Sequence, residues 1–233
     1  MHQPHRSIGA IAAALAAACL VIVRTAPADK WEIALTNTSG LTPHGVQASS
    51  VTHNGKSAVR LVEAASLVQA EGFAVVQGPA LKDGTIEVDL AGRPGQGAND
   101  AARGFVGIAF RVKPDQSGFE CFYLRPTNGR ADDQLRRNHA TQYMSFPEFP
   151  WERLRKETPG VYESYVDLVP GEWTHVRIDF RDRRGALYVN RAPQPVLIVS
   201  DLKLPPGSGG VGLWIGAGTE GFFRNLVVTS SGT

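Results

Sequence analysis

Cysteine is nearly absent from this 233-residue chain, which holds only Cys19 and Cys121. Cys19 falls in the leading apolar stretch, so the remainder has one thiol, no internal disulfide, and must be held together by core burial. About 200 residues is long enough for that, as one large sandwich or two small domains. The histidines lack His-x-x-x-His spacing, and no Cys-x-x-Cys pair exists, which excludes an ordinary catalytic zinc motif. No Gly-x-Ser-x-Gly elbow or phosphate loop is present; "PGQGAND" and "PPGSGG" read as turns. Helical periodicity never persists beyond two or three turns. Neither sign of charge dominates, with 24 basic against 22 acidic residues. That balance argues against nucleic acid or an anionic membrane surface as the main partner.

The one extended apolar run, residues 8–23, follows His2, His5 and Arg6 and is shorter than the roughly 20 residues of a membrane span. Residues 1–28 therefore read as a secretory signal, with Ala26-Pro27-Ala28 as the cleavage triplet and residues 29–233 as a single domain. The expected location is periplasmic or secreted, with no membrane span left after cleavage. Lipidation at Cys19 fits less well, because Leu15 stands one position too far away and the apolar run continues through Val23. Loss of Arg6 and Arg24 leaves acidic and basic residues equal in number. Arginine greatly outnumbers lysine; a GC-rich genome or planar recognition of polar ligands would each produce this.

From Gly72 onward the pattern is short strands of period two. "GTIEVDL" sets Ile86, Val88 and Leu90 against Glu87 and Asp89, and "WTHVRIDF" sets Val176, Ile178 and Phe180 against His175, Arg177 and Asp179. "FVGIAFRV", "ALYVN", "VLIVSDL", "GGVGLWIG" and "FFRNLVVTS" add further strands, separated by Gly, Pro, Asn and Asp turns. The expected fold is all-β: an antiparallel β-sandwich of the jelly-roll kind, two curved sheets face to face. "PWERLRKE" could supply one short helix with Trp151 and Leu154 on its apolar side.

A polar and aromatic insertion interrupts this pattern between residues 125 and 155. Saccharides present arrays of hydroxyls and an apolar C–H face, so a site for them needs Asn, Asp, Arg and Gln beside an aromatic ring. Asn128, Arg130, Asp132, Asp133, Arg136, Arg137, Asn138, His139, Gln142, Tyr143 and Trp151 supply these types. The outward residues of three strands, Glu87 with Asp89, Tyr123 with Arg125, and His175 with Arg177, would form the floor of a groove. Ion pairing on a solvated loop is the plainer explanation for many of these residues.

"ARGFVG", "GEWTHVRIDFRDRRGALYVN" and "GGVGLWIGAGTEGFFRNLVV" resemble strand signatures of the concanavalin A-like lectin/glucanase superfamily in its laminin G style, over roughly residues 71–228. Similar sequences occur near the 3-keto-disaccharide hydrolase domain family. The resemblance implies the jelly roll and a ligand groove on the concave sheet, and it leaves three functions open: a carbohydrate-binding module, a glycoside hydrolase acting on a small saccharide, or a structural or adhesive module. Retaining glucanases of this fold carry a Glu-x-Asp-x-x-Glu strand. Here Glu87 and Asp89 are present but the third acid is Gly92, so Glu163 or Glu120 would have to complete a catalytic pair with Glu87. Jelly-roll lyases use Tyr, His, Arg and Gln, for which His139, Gln142, Tyr143 and Arg125 have the right chemistry, although the Gln-x-His strand motif is missing. The laminin G likeness also leaves room for calcium, with Asp100, Asp132 and Asp133 as candidate ligands.

Overall fold

A computed structural model describes residues 29–64 and 72–231. Residues 1–28, read from the sequence as a secretory signal with its cleavage point and Cys19, lie outside the described residues. Fifteen strands run in chain order: β1 Lys30–Ile33, β2 Leu41–His44, β3 Val46–His53, β4 Lys56–Glu63, β5 Gly72–Leu81, β6 Gly84–Pro94, β7 Val106–Val112, β8 Phe119–Leu124, β9 Thr141–Phe146, β10 Glu163–Ser164, β11 Thr174–Arg181, β12 Arg184–Val189, β13 Leu197–Val199, β14 Gly209–Ile215 and β15 Thr219–Ser230. They form two antiparallel sheets. The first has the order β13-β12-β11-β6-β15-β4-β3, with β1 also paired to β15; the second has the order β10-β9-β8-β7-β14-β5-β2. The all-β jelly-roll sandwich expected from the sequence is the fold observed.

Strand alternation builds the core as its period requires. Ile86, Val88, Leu90, Val176, Ile178 and Phe180 of the first sheet are buried and meet Ile108, Phe110, Phe122 and Leu213 of the second. Phe110 and Phe180 touch across the gap with ring centroids 4.6 Å apart, each such side chain contributing about 1.5–3 kcal/mol by leaving water. The long β15 serves two neighbours in turn: residues 220–223 pair with β4 and residues 226–229 with β1. The switch is made at Asn225, whose φ of 52° lies in the left-handed region, where the register with β6 also slips.

Two departures from the sequence pattern matter. Arg111, outward by simple alternation, is only 3 % exposed. A bulge opposite β14 and a φ of 50° turn its side chain onto the β5–β6 connection between the sheets and the β11–β12 turn. There it donates to Lys82 O at 3.1 Å, Asp83 Oδ1 at 3.0 Å and Asp182 O at 2.7 Å. The polar insertion also contains two helices rather than one: α1, Gln134–Asn138, whose N-terminus Asp133 caps by accepting from the Arg136 N–H at 2.6 Å, and α2, Trp151–Glu157, with Leu154 buried.

Candidate functional site

On the second sheet the outward positions are Tyr123 on β8, Gln142 and Met144 on β9, Glu163 on β10 and Trp214 on β14; paired register puts Tyr123 beside Gln142, Gln142 beside Glu163, and Gly107 between Tyr123 and Trp214. Gly107 permits this crowding, because a Cβ there would stand 2.5 Å from Tyr123 Cβ. The Tyr123 and Trp214 rings pack with centroids 4.7 Å apart.

Against this face the insertion folds back and leaves two adjoining cavities. One, of about 370 Å³, is walled by Phe105, Tyr123, Met144, Trp151 and Trp214. The other, of about 500 Å³, shares Ala101, Phe105 and Trp151 with it and adds Arg103, Arg125, Asn128, Asp133, Leu135, Arg136, His139 and Arg155. An aromatic trough thus opens into a polar, arginine-rich one, the composition that small-molecule sites favour.

Arg125 organises the wall between them. It stands past the end of β8 and is 3 % exposed. Its Nη2 donates to Tyr123 Oη at 2.9 Å and Gln142 Oε1 at 3.1 Å; its Nη1 donates to His139 O at 3.2 Å and Glu163 Oε1 at 3.3 Å. Gln142 is held in turn by donating to the carbonyls of Tyr143 and Tyr162 at 2.8 and 3.1 Å. Glu163 also accepts from Arg155 of α2, so one buried carboxylate ties a strand, a loop and a helix together. The Trp151 ring lies 5.4 Å from the Arg125 guanidinium carbon and 4.5 Å from that of Arg155. Asn128 completes the frame by donating to His139 O at 3.1 Å and accepting from Arg136 Nε at 3.0 Å. His139 Nδ1 comes within 2.6 Å of Glu163 Oε2, so the imidazole faces the same buried carboxylate. Burial lowers the His139 pKa below the ordinary 6.5, and the Arg155 and Arg125 charges push the same way against the pull of Glu163.

The structure therefore brings together Tyr123, Arg125, Asn128, His139, Gln142, Trp151 and Glu163 from the sequence-derived set, and separates the others. Tyr143 points between the sheets, because the two-residue period that turns Gln142 outward turns its neighbour inward. Its hydroxyl donates to Glu120 Oε2 at 2.5 Å and accepts from the Lys203 N–H at 2.8 Å. Arg130 pairs with Asp167 at 2.8 Å on the surface, and Asn138 accepts from Gln134 at 2.8 Å on exposed α1; neither lines a cavity. Glu87, His175 and Arg177 lie on the outer face of the other sheet, where His175 bridges Asp89 at 2.9 Å and Glu87 at 3.3 Å. Glu87 and Glu163 thus face away from each other across the sandwich and do not form a two-carboxylate pair. Glu120 is no substitute, since it is buried between the sheets. Nor can position 92 carry an acid: a Cβ there would meet Gly104 O at 2.3 Å.

For calcium, Asp133 already caps α1, and among the described residues no group of three or more His, Cys, Asp or Glu is placed to hold a metal. No helix among them is long and apolar enough to cross a membrane. The sequence reading missed Phe105, Arg103 and Arg155, and also Trp214, although the alternation of "GLWIG" with Leu213 and Ile215 inward would have turned Trp214 out.

No family model matches the chain, so the likeness to 3-keto-disaccharide hydrolases rests on the sequence motifs alone. No curated protein matches it either. Among solved structures the fold is that of lectin-like jelly rolls. The carbohydrate-binding module CBM66 from Bacillus subtilis superposes with a TM-score of 0.52 at 13 % identity, covering 80 % of this chain and 93 % of that one. A Bacillus subtilis protein of unknown function with a galectin-like fold gives 0.52 at 10 % identity over 90 % and 98 %. The exoplasmic/lumenal domain of VIP36, in its Ca2+/Man3GlcNAc-bound form, gives 0.55 at 12 % identity over 85 % and 88 %. At these identities the likeness is one of fold.

Proposed function

We propose that this protein binds a saccharide on the outer face of the second sheet, in the joined cavities between Trp214 and Arg136. The observation that carries the reading is the pairing of an aromatic wall (Phe105, Tyr123, Trp151, Trp214) with polar groups already fixed by the Arg125–Gln142–Glu163 network. Rings of this kind stack on the C–H face of a sugar, and donors held in place before binding lose little entropy on meeting its hydroxyls. Two fold neighbours, a carbohydrate-binding module and a lumenal domain bound to Man3GlcNAc, support the same class of partner. Residues 1–28 support a site of action outside the cytoplasm. Binding is tested by titrating the purified chain with an oligosaccharide panel and repeating any positive with Trp151→Ala; retention that survives the substitution undiminished counts against this site.

A second reading, a small-saccharide-processing enzyme, is favoured by one observation: His139 lines the larger cavity with Nδ1 set 2.6 Å from the buried Glu163 carboxylate, the imidazole–carboxylate pairing that orients a general base. It predicts a product of altered mass from one member of the panel, abolished in His139→Ala.

A further inference from the structure

Resting on the saccharide reading, we infer that the bound sugar carries an anionic group, a carboxylate or a sulfate ester, seated between Arg103 and Arg136. Four arginines and Asp133 line the larger cavity. The Glu163 carboxylate behind them is engaged by both Arg125 and Arg155. Neither Arg103 nor Arg136 forms an ion pair among the described residues, although the Asp100 charge acts favourably on Arg103. Arg103 donates only to the carbonyls of Asp100 and Ala102, and Arg136 to Asn128 Oδ1, Thr127 Oγ1 and Thr127 O. Asp133, the one acid on the wall, accepts from the backbone N–H of Arg136 as the cap of α1.

Both guanidiniums are half-buried and close enough to feel one another: after burial itself, the charges of Arg136 and Arg125 are the causes that lower the Arg103 pKa. Repulsion of this kind is relieved by an anion with two or more oxygens, which planar guanidinium forks bind in bidentate fashion. A neutral sugar would leave it in place. The aromatic trough next door would then stack the ring that bears the charge, or its neighbour along the chain.

The test uses the full mature chain and matched probes: uronate oligosaccharides, the same oligosaccharides with the carboxylates methyl-esterified, sulfated oligosaccharides, and neutral glucans and mannans. The inference expects a free acid bound at least about tenfold more tightly than its methyl ester, with a preference that shrinks as salt is raised. Preference for uronate or for sulfate probes tells which anion is read. Arg103→Gln and Arg136→Gln should each erase most of that preference, whereas Arg103→Lys should keep part of it. Equal binding of acid and ester overturns the inference and leaves the saccharide reading standing. Binding of no probe, neutral or acidic, overturns both.

Discussion

Glu163 Oε1 lies 3.3 Å from Nη1 of Arg125, with the two side chains only 2 % and 4 % exposed. A carboxylate so placed cannot reach a ligand. It neutralises the equally buried Arg125 guanidinium in the cavity wall, and through Arg155 it holds α2 and hence Trp151 against the sheet. Glu163→Gln leaves two guanidiniums without a countercharge, one of them buried. The expected loss of unfolding free energy is about 3–5 kcal/mol, read by denaturant titration. A loss under about 1 kcal/mol would show that the network does not depend on the charge.

Trp151→Ala should weaken saccharide binding by about tenfold or more while leaving the thermal midpoint nearly unchanged. The reason for the split is that Leu154, not Trp151, is the buried residue of α2. Calorimetric titration and a melting curve on the same sample separate the two effects. A large drop in melting temperature would make Trp151 a structural residue.

On the opposite face of the sandwich, Glu87→Gln and His175→Ala should leave both affinity and any turnover as they are in the unsubstituted protein. These residues occupy the outer face of the first sheet with Asp89, remote from the cavities. Loss of activity in Glu87→Gln would move the functional face to that sheet.

Much of this architecture is legible in the sequence and some is not, for identifiable reasons. Strict alternation in β6 and β11 fixes which side chains are inside, so Ile86, Val176 and Phe180 are read correctly from the period alone. What alternation does not reveal is to which sheet an outward residue belongs. Glu87, Tyr123 and His175 all point outward by pattern, yet β6 and β11 pair with each other and β8 lies in the other sheet. Sheet membership in a jelly roll depends on contacts distant in sequence. Arg111 fails differently: its burial follows from a local bulge and a left-handed backbone, which a two-residue period cannot anticipate. Within the insertion, composition identifies the segment as site-forming material, but whether an arginine lines the cavity or pairs on the surface, as Arg136 and Arg130 respectively do, depends on the turn of α1 and on Asp167.

Arg111→Met is the corresponding stability test. Removing the guanidinium strands Asp83 beside two carbonyls that lose their donor, and the expected cost is about 3–5 kcal/mol by denaturant unfolding. A neutral outcome would mean that these turns are satisfied by water instead.

Glu120 gives the pH dependence a sign. Burial pushes its carboxyl pKa above the ordinary 4.5, against the opposing hydrogen bonds from Tyr143 and Leu204. The folded state then holds the proton more tightly than the unfolded chain, so this group's stabilisation is complete below about pH 4.5 and is lost as pH rises through the raised value. Glu120→Gln mimics the protonated form. Its melting temperature relative to the unsubstituted protein should therefore rise as the pH increases from about 4.5 through the raised value. A difference that stays flat over that range contradicts the raised pKa.

Saccharide binding in the joined cavities of the second sheet is read out by probing a glycan array with the unsubstituted protein and Trp151→Ala side by side. One or a few glycans should be retained by the former and lost by the latter. Retention of no glycan, or equal retention by both proteins, would contradict it.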